Sequence, residues 1–217
     1  MIEILAGDFR ELSKDIADDS VNLVMTDPPY KREFLHLWGD LGRISSRVLK
    51  PSGFLVSYSG QMFLPSVLER LSNHLSWYWL AGLQMDGGQC RMWARNSIER
   101  LKPILIFQKE PFRKQKKMFV NLIKSPAPSK EYHVWGQSVS PFRQLLEIFS
   151  SPGDLVFDPM TGAGTTGIAC AQLDRRFIGH EIDEAMADVA RERCMNYQPM
   201  LPLQIEERYV QTHFLKI

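Results

Sequence analysis

The sequence predicts an α/β fold, a mostly parallel sheet with helices on both faces. Three observations carry that expectation. Short apolar runs alternate with amphipathic stretches along most of the chain, the pattern of strands joined by crossover helices. A glycine-rich turn, Gly162 to Gly167, joins one apolar run to a helical stretch. Finally, Asp8, Asp27, Asp158 and Glu181 each end or follow an apolar run, which is where parallel sheets gather their ligands. Four acids scattered at random would rarely all fall there.

Taken in order, a strand near 2–6 ends at Gly7-Asp8 and leads into a helix near 9–16. A second strand near 21–26 opens onto Asp27-Pro28-Pro29-Tyr30. Two consecutive prolines fix φ and remove both N–H donors, so the backbone presents carbonyl oxygens beside the Asp27 carboxylate. An acceptor pair of this kind suits an NH₂ group. Tyr30 adds a flat face on which a base removed from its stack can lie. The same tetrapeptide also reads as a strand-ending turn with a structural tyrosine. A helix near 34–49 then turns at Lys50-Pro51-Ser52-Gly53 into a strand near 53–58, and a helix near 61–74 leads to a strand near 76–83. Within it, Trp77-Tyr78-Trp79 reads as core strand rather than as a platform for bases. A strand near 102–108 follows.

The second half holds a helix near 138–149, strands near 154–157 and 176–180, and helices near 165–173 and 183–197. After the 154–157 strand the chain reads Asp158-Pro159-Met160-Thr161-Gly162-Ala163-Gly164-Thr165-Thr166-Gly167. Gly162 and Gly164 allow positive φ and close backbone approach, and Thr165 or Thr166 can cap the helix that follows. Backbone N–H groups at such a terminus attract an anionic group. Gly162 to Gly167 also satisfies G-x-G-x-x-G, with Glu181 and Asp183 where a dinucleotide site wants its ribose-binding acid. A nicotinamide-dependent oxidoreductase, or a non-catalytic nucleotide-binding module, therefore competes. Against it, Asp158 to Thr161 separate strand from glycine, a spacing that suits a smaller anion.

Together these stretches closely resemble the S-adenosylmethionine-dependent, amino-directed DNA methyltransferases in the motif order called the beta class. In that family a catalytic D-P-P-Y comes early, a target-recognition region follows, and the D-P-x-x-G-x-G-T cofactor loop comes last. Here the order is Asp27 to Tyr30, a middle region, then Asp158 to Thr165. The resemblance implies a Rossmann-like methyltransferase fold in a single domain spanning 1–217, with a short recognition insertion at about 84–134. It implies S-adenosylmethionine as cofactor, held by Asp158, Pro159, Met160, Thr161, Gly162, Gly164, Thr165 and Thr166. Asp8 corresponds to the aspartate that meets the adenine, and Glu181, Ile182 and Asp183 to the strand end whose acid holds the ribose hydroxyls. Gln137 and Ser138 stand where a further cofactor segment precedes the loop. Met160 replaces the family's usual phenylalanine, and His133 to Gln137 lack its common H-P-T-x-K-P pattern.

A net charge of +1 leaves any affinity for DNA to local patches. Lys109 to Lys117 is one such patch, with Arg113, Lys114, Lys116 and Lys117 as candidate contacts inside the region the family uses to hold DNA; the alternative is a solvated face. Arg91 and Arg95, flanking Trp93 and followed by Asn96, form a second, since Arg and Asn read guanine and adenine edges and Trp can stack or wedge. The short middle region leaves recognition either simple or shared, with a second copy in a homodimer or with a partner protein. Cys90, Cys170 and Cys194 are isolated, which fits no disulfide framework or zinc site; no metal is expected, and Cys170 reads as core. No apolar run reaches membrane-spanning length and no basic-then-apolar leader is present, so a cytoplasmic location is expected.

The implied chemistry is direct. Asp27 and the Pro28 carbonyl accept the two hydrogens of a flipped base's amine, the nitrogen shifts toward tetrahedral geometry, and positioning and charge stabilisation do the rest. No cysteine lies in the Pro-Cys context that ring-carbon methylation would need. Adenine N6 is favoured over cytosine N4 because aspartate is usual at the first tetrapeptide position in adenine-directed relatives, whereas serine is frequent in cytosine-directed ones. A methyltransferase of this fold acting on RNA or another amine is the remaining alternative.

Overall fold

The computed structural model of the chain describes residues 1–84, 90–115, 117–124 and 138–196. Its elements are β1 (Ile2–Ala6), α1 (Phe9–Leu12), β2 (Val21–Thr26), α2 (Leu35–Val48), β3 (Leu49–Tyr58), α3 (Leu64–Ser72), β4 (Ser76–Gln84), β5 (Cys90–Met92), β6 (Ser97–Glu99), β7 (Leu101–Gln108), β8 (Leu122–Lys124), α4 (Val139–Phe149), β9 (Leu155–Asp158), α5 (Thr165–Gln172), β10 (Arg176–Glu181) and α6 (Glu184–Met195). Eight strands form one sheet in the order β1-β10-β9-β2-β3-β7-β4-β8. All its pairings are parallel except the two made by β7, which runs antiparallel to β3 and β4.

Period-2 alternation divides the strands' apolar side chains between two cores. Leu23, Val56, Ile104 and Ile106 face the helices α4, α5 and α6 through Phe142, Leu145, Leu146, Ile168 and Ala190. Val24, Leu55, Leu105 and Phe107 face α2 and α3 through Trp38, Leu41, Ile44, Val67 and Leu71. The spacing of the buried residues in α4 (142, 145, 146, 149) is that of one helical face. Helices therefore cover both faces, as the alternating pattern requires.

The structure departs from the sequence reading in a few places. The helix expected over 9–16 is one turn, Phe9–Leu12, continued by a 3₁₀ turn at Ser13–Asp15. The turn expected at Lys50–Gly53 is absorbed into β3, which bends where Ser52 takes φ +65°. Trp77 and Trp79, expected in the core, are 44% and 55% exposed. Their strand lies next to the sheet margin, its register slips between them, and β8 covers only Gly82–Gln84. The short β8 and the β5–β6 hairpin carry too few apolar residues to show a period. Among the described residues no helix is long and apolar enough to cross a membrane.

Candidate active site

The chain runs outward from β2 to β3 on one side and from β9 to β10 on the other, so β2 and β9 are the neighbours at which strand order reverses. Crevices form outside the carboxyl ends of strands at such a point. Asp27 follows β2, Asp158 ends β9, Glu181 ends β10 and Asp8 follows β1, so the four acids share one rim. A cavity of about 440 Å³ is lined by Asp8, Arg10, Asp27, Pro29, Pro159, Met160, Gly162, Glu181 and Ile182, among others. A smaller one, about 160 Å³, is lined by Phe142, Asp158, Thr161, Thr165 and Thr166 together with Asp27, Met160 and Gly162, which it shares with the first.

The loop after β9 is built from within. Asp158 is buried; its Oδ2 accepts the Thr166 hydroxyl at 2.6 Å and its Oδ1 the Met160 N–H at 3.2 Å. Burial pushes its carboxyl up to about 6 against the pull of those donors. Gly162 and Gly164 adopt φ +52° and +79°, as a loop of this kind needs. The expected threonine cap is not formed. Gly164 occupies the N-cap of α5 without a side-chain bond, because Thr166 turns inward to Asp158. Glu181 faces the loop, its carboxylate accepting the Gly162 N–H at 2.8 Å and the Asp183 N–H at 3.1 Å. His180 beside it is fully buried against Phe157, and burial lowers it to about 4, so it is a neutral ring at pH 7.

Two expected cofactor residues cap helices instead of facing a cavity. Asp183 caps α6 through the Met186 N–H, and Ser138 caps α4 through the Ser140 N–H. Asp8 caps α1 as well, yet also lines the larger cavity; Arg10 grips both its oxygens at 3.0 Å and holds its carboxyl below the ordinary range. Gln137 lies outside the described residues.

At the tetrapeptide the Tyr30 hydroxyl donates to Asp27 Oδ1. Burial first, and the Asp27 charge second, hold that phenol protonated far above its usual range. Asp27 Oδ2 accepts from the Lys102 ammonium at 2.7 Å. Tyr30 sits close against the backbone after β3: a Cβ on Gly60 would lie 3.0 Å from Tyr30 Cβ. Tyr30, expected as a flat face for a base, thus also holds Asp27, and Lys102, Arg10 and Phe142 join the site with no expectation from the sequence. Lys102 carries no motif signal; it arrives because β7 is reversed, so its amino end meets the carboxyl ends of the other strands.

The DNA candidates separate. Arg91 and Arg95 lie on the β5–β6 hairpin, directly before β7 and hence at the rim, with the Arg91 guanidinium 5.7 Å from the centre of the 78% exposed Trp93 ring. Arg113 and Lys114 follow the other end of β7. The Arg113 N–H donates to Gln108 Oε1, and Lys109 pairs with Asp19, before β2. The basic segment expected to hold DNA therefore begins at the opposite end of the sheet from Asp27, on the order of 25 Å away at strand rise. Lys117 is exposed farther along the chain and Lys116 lies outside the described residues. Among the described residues no group of three His, Cys, Asp or Glu could hold a metal ion.

Comparison with known proteins gives one consistent picture. The N6/N4 methyltransferase family model, described as DNA methylase, matches residues 21–192. The Type II methyltransferase M.HpaI of Haemophilus parainfluenzae is 26% identical over 230 residues, covering 83% of this chain and 70% of that protein. The crystal structure of the M1.HpyAVI–SAM complex superposes with a TM-score of 0.71 at 26% identity, over 89% of this chain and all of that one. The PvuII DNA methyltransferase, cytosine-N4-specific, gives a TM-score of 0.76 at 17% identity, over 91% and 87% of the two chains, and so shares the fold.

Proposed function

The chain belongs to the N6/N4 DNA methylase family, and from that premise we propose that it methylates adenine N6 in DNA through the Asp27–Tyr30 site. One observation carries the reading: a large and a small cavity meet at Asp27. That shape suits S-adenosylmethionine, with a nucleoside half and a small amino-acid half. Glu181, Asp8 and Ile182 would hold the nucleoside half; the Gly162–Thr166 loop and Asp158 would frame the smaller one. When bound, the cofactor supplies an electrophilic methyl group on a sulfonium.

The chain's own residues do the rest. Asp27 accepts a hydrogen from the target amine and faces the charge that develops there. The buried Tyr30 phenol, fixed as a donor, orients the carboxylate through Oδ1. Asp158 holds the loop through Thr166 and Met160 and serves as scaffold. Arg91, Trp93 and Arg95 overhang the rim and are the DNA-facing side chains in this reading. Adenine is favoured over cytosine by the aspartate at position 27. A second copy of the chain is the partner that the exposed Trp77, Trp79 and Leu80 allow, and the mass in solution decides it.

The test is to express the chain in a host lacking amino-methylated bases. Its DNA is then sequenced for modified bases and their context, and its nucleosides are separated by mass. N6-methyladenine at one context is expected. N4-methylcytosine alone would move the base assignment to the cytosine reading, and no modification would overturn the proposal.

A further inference from the structure

We propose that the Lys102 ammonium holds the place of the target amine on Asp27 until a base displaces it, so that Lys102 sets how stringently a base is admitted. This rests on the amino-methylation reading above. The Lys102 side chain is only 15% exposed. Its nitrogen lies 2.7 Å from Asp27 Oδ2 and 5.1 Å and 4.8 Å from the centres of the Tyr30 and Tyr58 rings. A nitrogen donating to a carboxylate oxygen beside an aromatic face also describes the amine of a base lying on Tyr30. The two compete for one place, because the ammonium sits on Asp27 Oδ2 beside the Tyr30 face, where the amine of a base lying on that ring would have to come.

Charge decides which occupant is present during chemistry. Alkylating an amine uses its lone pair to form the new N–C bond and leaves nitrogen positive until one N–H proton departs. An ammonium kept on the same carboxylate would oppose that charge and neutralise the group meant to stabilise it. Lysine can leave: it is a compact charge on a flexible four-carbon stem, unlike the rigid fork of arginine. On Asp27 it satisfies a carboxylate set beside the Tyr30 and Tyr58 rings. It also makes every incoming amine compete, so a base held by a full set of contacts enters and a loosely held one does not.

The test uses the full chain, with a duplex carrying the context that sequencing identifies. Lys102→Met keeps the apolar stem and should raise kcat/KM by about threefold and broaden the methylated contexts, while Lys102→Arg should lower kcat/KM by about tenfold. A positioning or merely structural lysine gives the reverse order, with arginine rescuing and methionine failing, and that order would falsify the proposal. Calorimetric binding of S-adenosylmethionine checks folding; if Lys102→Met fails it, Lys102→Gln takes the same ranking. Independently, the ε-¹⁵N signal that Lys102→Met removes should be visible in the DNA-free protein and vanish when the duplex binds. Its persistence in the complex also overturns the proposal. Absence of methylation by the unaltered chain would instead defeat the amino-methylation reading.

Discussion

At the amino end of β7, Lys102 lays its ammonium on Asp27 at 2.7 Å; at the carboxyl end, Lys109 pairs with Asp19 at 2.6 Å and the chain continues to Arg113 and Lys114. The second group is the conspicuous one in sequence, and the first is a single lysine. Their positions invert that ranking. A strand that runs against its neighbours delivers its first residues to the site and its last residues to the far side, so cation density along the chain says little about which cations reach the rim.

The largest effect should come from the site end. Asp27→Ala removes the acceptor and strands the Lys102 charge, so methyl transfer should fall by at least about a hundredfold, with most cofactor affinity retained by calorimetry. Turnover above about a tenth of the unaltered chain would break the assignment of Asp27.

Asp158 is next, and here the readout is stability against pH. Its folded value of about 6 lies above the ordinary 3.8. The unfolded chain therefore loses this proton first, and the contribution to stability is full below about pH 4 and lost as pH rises through 6. The loss amounts to about 3 kcal/mol. His180, lowered to about 4, opposes it over the same range, because its neutral ring loses stability as pH falls. Denaturant melts of Asp158→Asn beside the unaltered chain isolate the aspartate: the difference should grow in the variant's favour between pH 4 and 7. Parallel curves would remove the buried charge from the account.

Gly60→Ala sharpens the comparison within the site end. The added methyl would sit 3.0 Å from Tyr30 Cβ, pushing the tyrosine off Asp27. A drop in kcat of about tenfold, with cofactor affinity unchanged, is expected.

The smallest effects compare the two cationic groups directly. Replacing Arg91 and Arg95 with alanine should reduce the log–log salt slope of DNA binding by about 0.9 for each phosphate no longer neutralised. Replacing Arg113 and Lys114 should leave that slope unchanged. An equal reduction in both variants would show that the duplex reaches both ends of the sheet.

The seven strands of the alternating pattern were legible in sequence to within a few residues, because each is a short apolar run bounded by polar or turn residues, and that pattern depends only on local order. Asp27, Asp158 and Glu181 were legible for the same reason: each terminates such a run. The β5–β6 hairpin and β8 were not, being too short to show a period. The exposure of Trp77 and Trp79 depends on what lies beside the strand, and their residue types do not report it.

By itself, then, the sequence determined the succession along the chain of the seven longer strands and their helices, the acids at the strand ends and the glycines that must turn the loop after β9. Each of these is a consequence of local spacing and backbone preference. Only the tertiary structure decided that Asp183 and Ser138 cap helices, that Thr166 turns inward to a buried Asp158, and that Lys102 completes the site while Arg113 and Lys114 lie at the opposite end. Those outcomes depend on strand order and strand direction. These bring residues 27, 102 and 158 to one rim, and no spacing along the chain encodes them.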